Sequence, residues 1–237
     1  MKKEALKAAF PNTIPVMTGY LFLGISYGIL MKTAGFPVWL PPLTALIIYT
    51  GSMEFLMVEI LASSFHPLSA FLTAFMVGSR HLFYGISMLK KYSGTGKKKF
   101  YLIYTTSDET FAVNASAEIP EGIDHSWFYF WVSLLDQMYW VAGSLTGAII
   151  GSFLTFEIKG LDFVMTAMFV CILLNQWLKD GTQIRTMVKD HLPEIIGLGA
   201  SIIALLIFGA DNFIIPAMIM ILVLLTIPYF VKKDSHK

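Results

Sequence analysis

Apolar residues arrive in long blocks separated by short polar loops. A helix crossing roughly 30 Å of hydrocarbon needs about 20 predominantly apolar residues, and six windows qualify, at about 14–31, 68–89, 126–154, 161–178, 192–208 and 213–230. Two further apolar stretches are interrupted. Residues 39–63 open with Trp39-Leu40-Pro41-Pro42, are broken at Gly51-Ser52 and carry Glu54 and Glu59; residues 101–117 hold Thr105-Thr106-Ser107-Asp108-Glu109 in mid-stretch. Carboxylates and helix breakers at membrane depth are tolerated only beside protein or a water-filled cavity. The pattern therefore predicts an all-α, polytopic integral membrane protein. It forms a single transmembrane domain over 1–237, with about six full spans plus two broken or re-entrant helical segments. The first window is too long for a signal-peptide core and no A-x-A site follows it, so it is expected to be a mature helix with Met1 to Lys7 as a short basic anchor.

Composition agrees with this pattern. Of 237 residues 56% are hydrophobic and 14% charged, whereas a soluble domain carries about 25% charge; mean hydropathy is +0.66. The 17 basic and 16 acidic side chains nearly cancel, so the net charge of +1 points to no nucleic acid or acidic partner. Cytoplasmic loops collect Lys and Arg. If both interrupted stretches return to their own side, Lys2, Lys3, Lys7, Lys90, Lys91, Lys97, Lys98, Lys99, Lys179, Arg185, Lys189, Lys232, Lys233 and Lys237 all fall on one face. Lys32 and Lys159 fall on the other, and Arg80 lies within the bilayer. This sorting predicts a multi-pass protein of the inner (plasma) membrane with both termini cytoplasmic. Bent helices that cross fully are the open alternative, and they would put the lysine-rich loop 90–100 outside.

The chain also resembles itself. Ile48-Tyr49-Thr50-Gly51-Ser52-Met53-Glu54-Phe55 echoes Ile103-Tyr104-Thr105-Thr106-Ser107-Asp108-Glu109-Thr110, and Tyr27-Gly28-Ile29 upstream echoes Tyr84-Gly85-Ile86. The order is the same in both copies, so helix-plus-hairpin 14–63 reads as duplicated in 68–117, with additional helices over 126–230. The charge sorting orients the two copies oppositely, which makes them an inverted repeat. Inverted repeats that bring discontinuous helices to the midplane are a mark of secondary transporters.

Few polar groups remain at depth. Arg80 and His81 sit mid-way along their window, roughly 15 Å from either face at the helical rise, and Asp136 is also near mid-depth. A buried guanidinium needs a carboxylate or carbonyls, and Glu54, Asp108, Glu109 and Asp136 are the available acids. Arg80 reads either as a structural ion pair locking the two repeats or as part of the working site. Glu54 and Glu109, just past the two chain breaks, are candidates for a substrate or proton role. Asp136 has the simpler reading of a partner for Arg80 or His81, and His81 that of a packing residue. His66, His125, His191 and His236 read as loop or helix-end residues. The set expected to bind substrate or ion is Gly51, Ser52, Glu54, Arg80, His81, Thr106, Ser107, Asp108, Glu109 and Asp136.

Other chemistries find no support. There is no H-E-x-x-H spacing and no G-x-x-x-x-G-K-[ST] loop, no G-x-S-x-G elbow, and the single Cys171 excludes an intrachain disulfide. No enzyme, metal or cofactor is expected. Gly24 and Gly28, and Gly143, Gly147 and Gly151, fall at four-residue intervals that favour close helix packing. Trp127-Phe128-Tyr129-Phe130-Trp131 reads as an interfacial aromatic belt.

At these residues the chain resembles the AzlC family of branched-chain amino acid permeases and exporters. The resemblance rests on Phe10 with Thr13-Ile14-Pro15 and Gly19, Gly51-Ser52-Met53-Glu54-Phe55, Arg80-His81 with Tyr84-Gly85, Asp108-Glu109 with Phe111, and Asp136 with Trp140, Gly143 and Gly147. The final third agrees in hydropathy and length only. One position departs: Glu54 stands where the family's Gly-Ser-x-Gln-Phe motif has glutamine, which adds a charge. The resemblance implies a small AzlD-type membrane subunit as partner.

The expected function is a secondary transporter, working outward, of branched-chain or other small apolar amino acids by proton-coupled alternating access. Half-helix amino ends near Gly51-Ser52 and Thr106-Ser107 would meet the substrate carboxylate, and Glu54, Asp108 or Glu109 its ammonium. Met53, Phe55, Phe83 and Tyr84 could enclose its aliphatic side chain, though at helical spacing such residues are more often packing residues. The alternative is an ion or solute channel with a polar mid-membrane site. A membrane enzyme or a scaffold finds neither a nucleophile–base spacing nor a soluble domain.

Overall fold

The computed structural model describes residues 2–62, 66–154 and 192–209, isolated positions between 163 and 174, and most of 213–225. The expected span 161–178 lies largely outside these residues and 213–230 partly so, as do Lys159, Cys171, Lys179, Arg185, Lys189, His191 and the C-terminal lysines. Every regular element among the described residues is a helix. The chain forms two compact units, Met1–Met168 and Phe169–Lys237. The first holds α1 (Lys2–Thr33), α2 (Leu40–Ile47), α3 (Gly51–Ala62), α4 (Pro67–Met88), α5 (Lys98–Tyr104), α6 (Asp108–Ser116) and α7 (His125–Phe153); the second holds α8 (Leu192–Phe208).

α1 corrects the expectation at its start. Residues 2–7 are its opening turns rather than a separate anchor, and Pro11 and Pro15 lie inside the helix. Each proline removes one backbone donor. Nearby, Asn12 Nδ2 donates to Ala8 O and Thr13 Oγ1 to Phe10 O, both at 2.9 Å, which keeps local carbonyls bonded through the proline-rich turn.

α1 and α7 run parallel in close contact. Trp131 Nε1 donates to Lys2 O at 3.1 Å, Thr13 Oγ1 meets Tyr139 Oη at 3.2 Å, Gly24 faces Gly143, Gly28 faces Gly147 and Lys32 faces Gly151, so the numbers rise together. A Cβ on Gly24 would lie 3.1 Å from Gly143 Cα; one on Gly28 would overlap the Ser144 carbonyl oxygen, and one on Gly147 the Ile25 carbonyl oxygen. Only glycine lets these backbones approach so closely.

The other helices are threaded on this pair. α4 runs against it: Arg80 lies at the level of Ser52 and Asp108, while Met88 packs with Ala9, Tyr92, Leu102, Phe128, Tyr129 and Val132 near the start of α1. α2 descends from the far end of α1, where Tyr27 Oη meets Thr44 Oγ1 at 2.7 Å, to Gln137, whose Nε2 donates to Leu46 O at 3.3 Å. α3 then climbs back, from Trp140 beside Gly51 to Phe55 edge-on to Tyr27. α5 and α6 mirror this from the opposite end. Lys98 Nζ donates to Ser126 Oγ at 3.0 Å and Tyr104 Oη to the Leu46 and Ile47 carbonyls at 2.6 Å, after which α6 returns to Asn114, which donates to Tyr92 Oη at 3.0 Å.

The breaks are Ile48-Tyr49-Thr50 and Thr105-Thr106-Ser107. The first lies just before the expected Gly51-Ser52, which are the opening residues of α3. The shift has a local cause: Glu54 Oε1 accepts the Thr50 N–H at 3.1 Å and so starts the helix there. Tyr49 turns the chain with φ of 48°.

Among the described residues, α1 is the one helix long and apolar enough to cross a membrane by length and composition. α4 and α7 have 22 and 29 residues, but Arg80-His81 and Asp136-Gln137 in mid-helix dilute their apolar content. Even so, α4 turns Phe71, Phe75, Leu82, Phe83 and Ile86 outward, a large apolar face of the kind that water does not favour.

Gly147→Ala is expected to lower the unfolding free energy by about 1–3 kcal/mol through overpacking against the Ile25 carbonyl, seen as a fall in the melting temperature of the detergent-solubilised protein. Gly19→Ala, with no atom within 4 Å of the added Cβ, should leave the melting temperature within about a degree or two of wild type.

Candidate functional site

Both chain breaks meet the middle of α7, where Asp136, Gln137 and Trp140 are buried. Successive residues at i and i+4 share a helix face, so Asp136, Trp140 and Ser144 make one wall, and Tyr20 and Tyr27 of α1 lie beside it. Tyr20 packs edge-on to Trp140 and Tyr27 stacks on it, at centroid separations of 5.4 and 6.2 Å.

Glu54 is fully buried against this wall. Its Oε1 accepts from Trp140 Nε1 at 2.9 Å as well as from Thr50 N, while Oε2 has no partner among the described residues. Gly51 lets the indole reach the α3 backbone: an added Cβ would sit 3.1 Å from Trp140 Cη2.

Arg80 Nη2 of α4 donates to Ser52 Oγ and to Asp108 Oδ2, each at 2.9 Å. Of the four acids available to it, Arg80 thus takes Asp108. The ion pair joins α4 to α6, both in 68–117, and only the bond to Ser52 reaches 14–63; it does not by itself lock the two halves together. Asp136 pairs with neither Arg80 nor His81. Its Oδ2 accepts from Thr110 Oγ1 at 2.8 Å and its Oδ1 has no partner among the described residues.

Ser107 caps α6, accepting the Thr110 N–H at 3.1 Å, and its hydroxyl also meets Tyr20 Oη at 2.6 Å and Thr110 Oγ1 at 3.0 Å. Tyr20 Oη donates to Glu109 Oε2 at 2.7 Å. Tyr49, from the first break, buries its hydroxyl beside Thr110 and within electrostatic reach of Asp136 and Glu109.

Two expected residues stand apart. Thr106 is buried but turns its hydroxyl back to Leu102 O of its own helix at 2.6 Å. His81 bonds Gly78 O of its own helix at 3.3 Å and lies edge-on to Tyr84. Phe83, expected on an aliphatic wall, is 70% exposed and points away from the cluster, whereas Phe55 is buried against Tyr27.

Tyr20, Tyr27, Tyr49, Thr110, Gln137 and Trp140 join the cluster without having been given a site role from sequence; Tyr27, Tyr49 and Thr110 stood there only in the repeat and Trp140 only in the family resemblance. Trp140 follows Asp136 by one helical turn and Tyr27 follows Tyr20 by two, so a helical-face reading could have found them. Tyr49 and Thr110 carry no such signal. Among the described residues no group of three or more His, Cys, Asp or Glu side chains could hold a metal ion.

The family model described as AzlC protein matches residues 15–154, which contain the whole cluster. The chain belongs to the AzlC family. A relative from Bacillus subtilis named branched-chain amino acid transport protein AzlC is 48% identical over 223 residues, covering 94% of this chain and 85% of its own. A Haemophilus influenzae relative called an uncharacterized membrane protein is 45% identical, covering 94% and 88%. The inner membrane protein YgaZ of Escherichia coli is 24% identical, covering 69% of each chain. No solved structure matches. This AzlC-family chain is a membrane protein, and the apolar outward faces of its helices are where hydrocarbon would lie.

Neutralising either member of the Arg80–Asp108 pair leaves a partly desolvated charge without its partner. Arg80→Gln and Asp108→Asn are each expected to reduce stability by about 1–3 kcal/mol, with the double variant losing less than the sum. Unfolding in detergent with a double-mutant cycle measures this coupling.

Proposed function

We propose that the chain is a proton-coupled secondary transporter that exports branched-chain or other small apolar amino acids by alternating access. The observation that carries this reading is the meeting of two broken helical hairpins, arriving from opposite ends, at the middle of α7. Discontinuous helices meeting at mid-depth, with carboxylates beside their ends, are how secondary transporters make a site for a zwitterion. The amino ends of α3 and α6 offer partial positive charge to a substrate carboxylate, and Glu54, Asp108 and Glu109 offer an ammonium its counter-charge. The name of the B. subtilis relative supports the substrate class.

In this reading the end bearing Lys2, Lys91 and Lys98 faces the cytoplasm, as do both termini. The α2–α3 hairpin then enters from outside and the α5–α6 hairpin from the cytoplasm, so 14–63 and 68–117 act as an inverted repeat among six full spans. The glycine-packed α1–α7 pair serves as the fixed wall. α4, which meets α3 and α6 through Arg80 and Tyr84 and the α1–α7 pair through the cluster around Met88, is the element that rocks. The work is transport rather than covalent chemistry, and a small AzlD-type subunit is the proposed partner on the apolar outer surface.

Counterflow of labelled leucine or valine in proteoliposomes, run with and without a small co-purifying membrane protein and under an imposed proton gradient, tests the proposal. Saturable, gradient-sensitive exchange is expected. Rapid, non-saturating flux would mean a channel instead, and no movement of any amino acid under any gradient would sink the transporter reading.

A further inference from the structure

Four consecutive oxygen–oxygen contacts link two carboxyl groups across three helices: Glu109 Oε2 to Tyr20 Oη at 2.7 Å, Tyr20 Oη to Ser107 Oγ at 2.6 Å, Ser107 Oγ to Thr110 Oγ1 at 3.0 Å, and Thr110 Oγ1 to Asp136 Oδ2 at 2.8 Å. Tyr20 belongs to α1, Ser107, Glu109 and Thr110 to the start of α6, and Asp136 to α7. Each contact has hydrogen-bond length and needs one proton between its oxygens. The three hydroxyls supply three. With both carboxyls ionised, one contact would press two bare lone pairs together. With both protonated, one proton would lie outside the four contacts, on Glu109 Oε1 or on Asp136 Oδ1, and Asp136 Oδ1 has no partner among the described residues to receive it. One added proton fills every contact.

We propose that Glu109 and Asp136 share a single proton through the hydroxyls of Tyr20, Ser107 and Thr110. In one state Glu109 carries it and donates to Tyr20, Tyr20 to Ser107, Ser107 to Thr110, and Thr110 to ionised Asp136. Shifting each of the four protons across its own contact breaks four O–H bonds and forms four. Asp136 is then protonated and Glu109 ionised, while the charge of the chain as a whole is unchanged. Ser107 holds its place in both states because it also accepts the Thr110 N–H.

The charged and titratable groups around the relay are few. Arg80 of α4 and Asp108 of α6 act on Glu109, and Tyr49 from the first break faces the relay near Asp136 and Glu109. Arg80 lies on the Glu109 side and Asp136 is bonded on the far side, so the helix that carries Arg80 can bias which end holds the proton. As the proton site of a transporter, the relay rests on the function proposed above; the sharing itself does not.

Infrared spectroscopy of the purified full chain in lipid, at neutral pH, reads protonated carboxyl groups directly through their C=O band and requires no transport. Measured against the Glu109→Gln/Asp136→Asn double variant, wild type is expected to show one protonated carboxyl. Each single variant is expected to show no more than one, because the introduced amide fills the chain either by donating its N–H₂, with the opposite carboxyl ionised, or by accepting through its C=O, with that carboxyl protonated. In wild-type protein made with carboxyl-¹³C aspartate, part of the band should move and part should stay. A band that moves wholly or not at all places the proton on one residue and overturns the sharing, as would two protonated carboxyls or none in wild type. If the band behaves as expected while no amino acid moves in proteoliposomes, the relay stands and the transporter reading falls.

Discussion

The backbone contact between α1 and α7 is the constraint on which the rest of the unit depends. Gly24, Gly28, Gly143 and Gly147 remove the side chains that would hold two helices apart, and the helices settle in parallel register. That register puts Tyr20 and Tyr27 beside Asp136 and Trp140, making a wall that is aromatic over most of its area and acidic at one point. Without the close approach, the Tyr20 hydroxyl would not reach Ser107 at the α6 cap, and Glu54 would not find the Trp140 indole. Between helices in a bilayer the solvent offers little hydrophobic drive, so tight van der Waals contact carries the association.

The two chain breaks show what that wall is for. Interrupting a helix frees carbonyls at one end and N–H groups at the other, and each left bare in an apolar setting costs several kcal/mol. Gln137 and Tyr104 take up the carbonyls at the end of α2, Glu54 and Ser107 take N–H groups at the starts of α3 and α6. Glu54 therefore has structural work as well as charge. Each of Glu54, Asp108 and Asp136 still keeps one buried oxygen without a partner among the described residues.

α4 is attached differently. It reaches the rest through the Arg80 contacts to Ser52 and Asp108, the stacking of Tyr84 on Phe111 and the packing of Met88 near the start of α1. Polar contacts of this kind can be exchanged for others at similar energy, whereas the interlocked glycine backbones cannot slide without clashes. The unit thus combines one pair locked backbone to backbone with one helix held through side chains, Arg80 among them.

Much of this was legible in the order of residues. An all-helical chain, the approximate limits of α4, α7 and α8, and the presence of acids at the breaks all follow from a local rule: polarity and helix breakers are costly in apolar surroundings and stand out where they occur. Other features were not readable. The first break falls at 48–50 because Glu54 reaches back to Thr50, and residues 2–7 continue into α1 although Pro11 and Pro15 lie within it. Arg80 had four acids within plausible reach by spacing, and only the register of α4 against α6 decided for Asp108. Tyr49 and Thr110 enter the cluster through a positive-φ turn and a cap, neither of which leaves a periodic trace. Sequence alone settled which groups had to be compensated, since that is a matter of composition along each helix. Tertiary structure decided who compensates whom, since hydrogen bonds and ion pairs depend on ångström-scale register between helices far apart in the chain.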